Sequence, residues 1–87
     1  MSHGLTDQAA AVLGAMADKA PEVFAAVVRF LPLITDAHET GQLPEGASPA
    51  DSWGDLYDLP VPGAPVLVEF FTGDPDALTI TRITWMA

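Results

Sequence analysis

The sequence predicts an α+β domain in which two N-terminal helices pack on a three-stranded antiparallel β-meander. Three observations lead there. Apolar residues recur at helical spacing up to Ile34, the period changes to two from Asp55 onward, and a Gly- and Pro-rich stretch separates the two regimes. The 87 residues suit one domain, 1–87, and 49% hydrophobic residues argue for a packed core despite a net charge of −9.

Leu5, Ala9, Val12, Leu13, Met16 and Ala20 share one helical face, with Thr6 or Asp7 available as N-cap, so a helix is expected near 7–19. Pro21 suits the first turn of a second helix and Glu22 complements its dipole. Val23, Phe24, Val27, Val28, Leu31 and Ile34 give that helix a broad apolar face. Pro32 is expected to kink or end it, because proline cannot donate to the Val28 carbonyl. The helical hairpin is therefore placed at 7–34 and a long acidic loop at 35–54, with Leu43 and Trp53 as its only bulky apolar residues.

The antiparallel sheet is placed at 55–86. Leu56 to Val61 forms a short strand that Pro60 marks as an edge or an end. A turn at 62–65 leads to Val66-Leu67-Val68-Glu69-Phe70-Phe71, the strongest strand. After a second turn, Leu78 to Trp85 is dense in β-branched residues and forms the third. Its apolar positions switch from Leu78 and Ile80 to Ile83 and Trp85, which share a face only if a bulge intervenes near Arg82.

Charge narrows the function classes. Lys19, Arg29 and Arg82 are the only Lys or Arg residues, and nine acids lie between Phe30 and Thr81 without a base. Three scattered bases cannot form the cationic stripe that nucleic acid requires, so a basic protein surface is the expected partner and no direct nucleic-acid contact is expected. The absence of cysteine excludes disulfides, thiolate zinc sites and a thiol nucleophile. No basic-then-apolar leader opens the chain, and Val23–Ile34 is interrupted by Arg29 and Pro32, so the expectation is a cytoplasmic protein that spans no membrane.

The run Leu56-Tyr57-x-Leu59-x-Val61-x-Gly63-x-x-Val66-Leu67-x-Glu69, followed by an acidic turn and Leu78-Thr79-Ile80-Thr81-Arg82-Ile83, resembles the three C-terminal strands of RelE/ParE-type toxins of bacterial toxin-antitoxin systems. With the helical pair, the resemblance spans about residues 7–86. It implies a RelE/ParE-like fold and a protein partner such as a cognate antitoxin. Family members usually begin with a strand, whereas Met1–Thr6 is short and polar, so the sheet is expected to be one strand smaller, with a free edge at which a dimer or an antitoxin segment could pair. Ribosome-dependent nucleases of the family carry basic residues where this chain has Pro65. Arg82 alone matches a family arginine, and Trp85 stands where a histidine is common. The resemblance thus implies the fold more than the activity: a toxin-antitoxin-type protein acting mainly through protein binding. An active endoribonuclease with Arg82 as its catalytic phosphate contact, or an acidic inhibitor imitating nucleic acid, are the alternatives.

The remaining candidates are weaker chemistry. Asp36, His38 and Glu39 have the residue types of a metal site but no recognised ligand spacing, and His3 adds nothing; neither a metal nor another cofactor is expected. Asp51, Ser52 and His38 lack the context of a hydrolase triad, and Asp51 or Ser52 better organises the turn before Trp53. Asp74 and Asp76, flanking Pro75, read as turn chemistry. Asp36–Asp58 contains six acids and could face a basic protein; the protein-binding residues expected are Asp51, Trp53, Asp55, Tyr57, Asp58 and Trp85. Arg82 is expected opposite Glu69 on the neighbouring strand.

Overall fold

The computed structural model describes residues 3–74 and 76–86; Pro75, assigned by sequence to a turn, and the His3 side chain lie outside this description. The elements are β1 (His3–Leu5), α1 (Asp7–Lys19), α2 (Pro21–Glu39), β2 (Ser48–Pro49), β3 (Leu56–Pro60), β4 (Val66–Phe71) and β5 (Leu78–Trp85). The class is α+β as expected. The sheet differs: it is five-stranded and mixed, in the order β1-β5-β4-β3-β2. The three expected strands form its antiparallel centre, and two short strands extend it.

β1 corrects the expectation that Met1–Thr6 supplies no strand. His3, Gly4 and Leu5 pair in parallel with Leu78, Thr79 and Ile80. Nothing local favours a strand in so short a segment; pairing with the β5 backbone supplies the hydrogen bonds that local propensity does not. The Thr6 N–H continues the ladder by donating to the Ile80 carbonyl at 3.1 Å. Thr6 also caps α1, its hydroxyl oxygen accepting from the Ala9 N–H at 3.3 Å. One residue therefore ends the strand and begins the helix.

α1 buries Ala9, Leu13 and Met16 and lies directly against β5 and α2. It ends where Ala20 leaves helical geometry and Pro21 takes the first position of α2. Of the two outcomes expected at Pro32, a kink or an end, the end does not occur: α2 runs on to Glu39, so residues 35–39 belong to the helix and not to the loop. Pro32 is exposed, where water can serve the Val28 carbonyl that lacks its amide partner, while Val27, Leu31 and Ile34 are held in helical phase by burial on the opposite side. The rest of the loop contains β2, whose Ser48 and Pro49 pair with Asp58 and Tyr57.

β4 alternates buried and half-buried residues along its length. Val66, Val68 and Phe70 face the helices; Leu67, Glu69 and Phe71 face away from them. The anticipated bulge is present: Glu69 pairs with Arg82 but Phe70 pairs with Ile80, leaving Thr81 as the extra residue. It keeps Leu78, Ile80 and Ile83 all buried on the helix side. Thr81 is held from both sides, its carbonyl accepting from the Thr6 hydroxyl at 2.7 Å and its own hydroxyl donating to a Glu69 carboxylate oxygen at 2.7 Å. Gly63, with φ +77, permits the turn between β3 and β4. Among the described residues no helix is long and apolar enough to cross a membrane.

Candidate functional site

The helices cover one face of the sheet, and among the described residues no element covers the other. Because side chains alternate along each strand, the residues between the buried ones line that open face: Leu56 and Asp58 from β3, Leu67, Glu69 and Phe71 from β4, and Arg82 from β5. The register sets Asp58 opposite Glu69 and Glu69 opposite Arg82, so three ionisable side chains form one row across three adjacent strands. Burial against the sheet pushes the Asp58 carboxyl above its ordinary value near 3.8; the Glu69 charge pushes it further up and the Arg82 guanidinium pulls it down. Glu69 also takes the Thr81 hydrogen bond, which fixes one of its oxygens in place.

The row contains the Arg82–Glu69 opposition expected from sequence and adds Asp58, which joins only through strand register. The other expected binding residues are dispersed. Tyr57, next to Asp58, points to the helix side, where its ring stacks on Phe70 with centroids 6.0 Å apart. Trp85 also lies on that side, half-buried beside α1 with its indole nitrogen buried and unpartnered among the described residues. Asp51 organises a turn, one carboxylate oxygen accepting from the N–H groups of Gly54 at 3.1 Å and Leu56 at 3.3 Å. The Asp55 carbonyl ties that turn to the end of β4 by accepting from the Thr72 N–H at 2.8 Å and hydroxyl at 3.1 Å. Trp53 sits in the turn Asp51 closes and is 84% exposed, away from the Asp58–Glu69–Arg82 row. Leu43 is likewise exposed.

The chemistry-bearing candidates elsewhere are engaged locally. The His38 Nε2 lies 2.9 Å from the Asp74 carbonyl, tying the end of α2 to the turn before β5, and borders a cavity of about 420 Å³ with Glu39, Gln42 and Thr72. Asp74 accepts from the Asp76 N–H at 2.9 Å, which is turn chemistry. Among the described residues no three His, Asp or Glu side chains converge as a metal site. Ser52 is exposed, and the carboxylate beside it serves backbone amides.

The open face can therefore do two things: attract a cation between two carboxylates, and offer Leu56, Leu67 and Phe71 as apolar surface around them. A phosphodiester would meet one guanidinium and two carboxylates in the same row. No protein-family model matches the chain, and neither a curated protein nor a solved structure matches it.

Proposed function

We propose that this chain is a toxin-antitoxin-type, RelE/ParE-like protein that acts in the cytoplasm by binding a basic protein segment and carries no nuclease chemistry. The observation that supports this most is the Asp58–Glu69–Arg82 row on the helix-free face, in which carboxylates outnumber the single base. A Lys or Arg from a partner would offset the burial and the Glu69 repulsion that together raise the Asp58 pKa, while phosphate would add to the repulsion. The strand that precedes the first helix adds support, because the resemblance implies one. The nuclease alternative has Arg82 as its only matched cation, and the Asp58 and Glu69 carboxylates beside it, although able to exchange protons, would repel a phosphodiester.

Two measurements test the reading together. On induced expression in a bacterial host, growth is expected to be the same for wild type and Arg82→Ala. Arrest that requires Arg82, accompanied by messenger cleavage, would establish the nuclease alternative instead. In titrations with an arginine-rich peptide, binding is expected to weaken with salt and to fall about tenfold in Asp58→Asn/Glu69→Gln, the loss of a close charge pairing. Binding unchanged in that double variant would remove the open face as the docking surface.

A further inference from the structure

We propose that the solvent side of α2 is the seat of a two-fold homodimer, in which α2 of one chain crosses α2 of a second copy antiparallel near Leu33. Leu33 is 58% exposed on the solvent side of this helix. Beside it a shallow groove of about 230 Å³ runs between α2 and the turn after β3, lined by Ala26, Arg29, Phe30, Leu33, Val61 and Pro62. The groove is apolar except for one cation. Arg29 is the only Lys or Arg between Lys19 and Arg82.

The position of that cation identifies the occupant. Asp36 is seven residues beyond Arg29, close to two helical turns, so both exposed side chains stand on the same side of α2 with Leu33 between them. In an antiparallel crossing about a dyad beside Leu33, the Arg29 of each copy meets the Asp36 of the other, and one symmetry operation makes both ion pairs. A parallel crossing would set arginine on arginine and aspartate on aspartate. The charge order therefore selects the antiparallel partner, and the surface is complementary to itself. Leu33 meets its own equivalent at the centre, and the exposed Pro32 and half-buried Phe30 extend the apolar contact.

The strand edge, which the sequence suggested as the pairing route, is occupied along β5 by β1, Thr6 and Gln8. On the far side β2 is two residues long and ends in Pro49, a poor template for a second chain. A 19-residue helix is about 28 Å long and offers less than the usual interface area of about 800 Å² per partner, so the dimer is concentration-dependent.

Sedimentation equilibrium over a concentration series tests this. The wild type is expected to dimerise as concentration rises toward the millimolar range, and Leu33→Glu to remain monomeric at every concentration. Arg29→Asp and Asp36→Arg, each alone, turn both ion pairs into repulsions and should weaken self-association at least about tenfold. An equimolar mixture of these two single variants restores both pairs across the dyad and is expected to form a heterodimer. Circular dichroism separates loss of pairing from loss of folding, since all three substituted residues are exposed. A wild type that stays monomeric throughout, or single variants whose mixture associates no better than either alone, would overturn the proposal.

Discussion

Gln8 and Ile83 exchange two hydrogen bonds: the Gln8 Nε2 donates to the Ile83 carbonyl at 3.2 Å, and its Oε1 accepts from the Ile83 N–H at 3.0 Å. A side-chain amide thus stands where the next residue of an edge strand would be, continuing the ladder that β1 and Thr6 begin on β5. Gln8→Ala should destabilise the protein by about 1–3 kcal/mol, the cost of stranding a partly buried backbone donor and acceptor. Chemical denaturation reads the loss, and amide exchange at Ile83 should accelerate more than at Val68.

Asp58 makes stability depend on pH in the direction opposite to a salt-bridged carboxylate. Its folded pKa lies above the ordinary value near 3.8, so between those two values the native state binds more protons than the unfolded one. Stability contributed by the protonated group is present below 3.8 and is lost as pH rises through the folded pKa. Asp58→Asn is therefore expected to melt higher than wild type at neutral pH, with the difference shrinking below 3.8. A melting-temperature difference that does not change with pH would contradict it.

Pro32 interrupts the amide ladder of a helix that continues past it. Pro32→Ala supplies the missing N–H to the Val28 carbonyl and should stabilise the protein by about 1–3 kcal/mol, less a smaller gain in unfolded-chain freedom. Equilibrium unfolding of the variant measures the net.

Trp85 brings a large ring to the helix side of the sheet but leaves its indole N–H buried without a partner among the described residues. Trp85→Phe removes that donor along with part of the ring, so two opposing effects of about 1–3 kcal/mol each should leave a net change within about 1 kcal/mol. Trp85→Ala, which removes the packing entirely, should cost about 3 kcal/mol or more in the same denaturation series.

Elements whose signal is local were legible in the sequence. Helix α1 begins at Asp7 and ends at Lys19, as its apolar spacing and the Thr6 cap indicate, and β4 follows its period of two. Even the bulge was readable, because the switch from Ile80 to Ile83 demands it if one core is to hold both. What escaped depends on distant backbone. β1 has no apolar pattern of its own and exists because β5 offers it a ladder, while α2 survives Pro32 because Leu31 and Ile34 are buried on the far side of the helix. The site divides in the same way. The Glu69–Arg82 opposition follows from two adjacent strands, but Asp58 enters the row, and Tyr57 leaves it, only once the register of β3 on β4 is known.

The position of β5 between β1 and β4 also sets the order in which the domain can be completed during synthesis. When the ribosome has made everything up to Phe71, the segments of α1, α2, β3 and β4 are all present, but the strand that joins them is missing, and His3–Leu5 lacks the β5 backbone it pairs with. The core cannot close from one end by gradual growth, since Leu78, Ile80 and Ile83 all arrive with the last strand. Folding is therefore deferred until translation of β5, and a nascent chain stalled before Leu78 would expose the apolar face of its helices to chaperones and proteases.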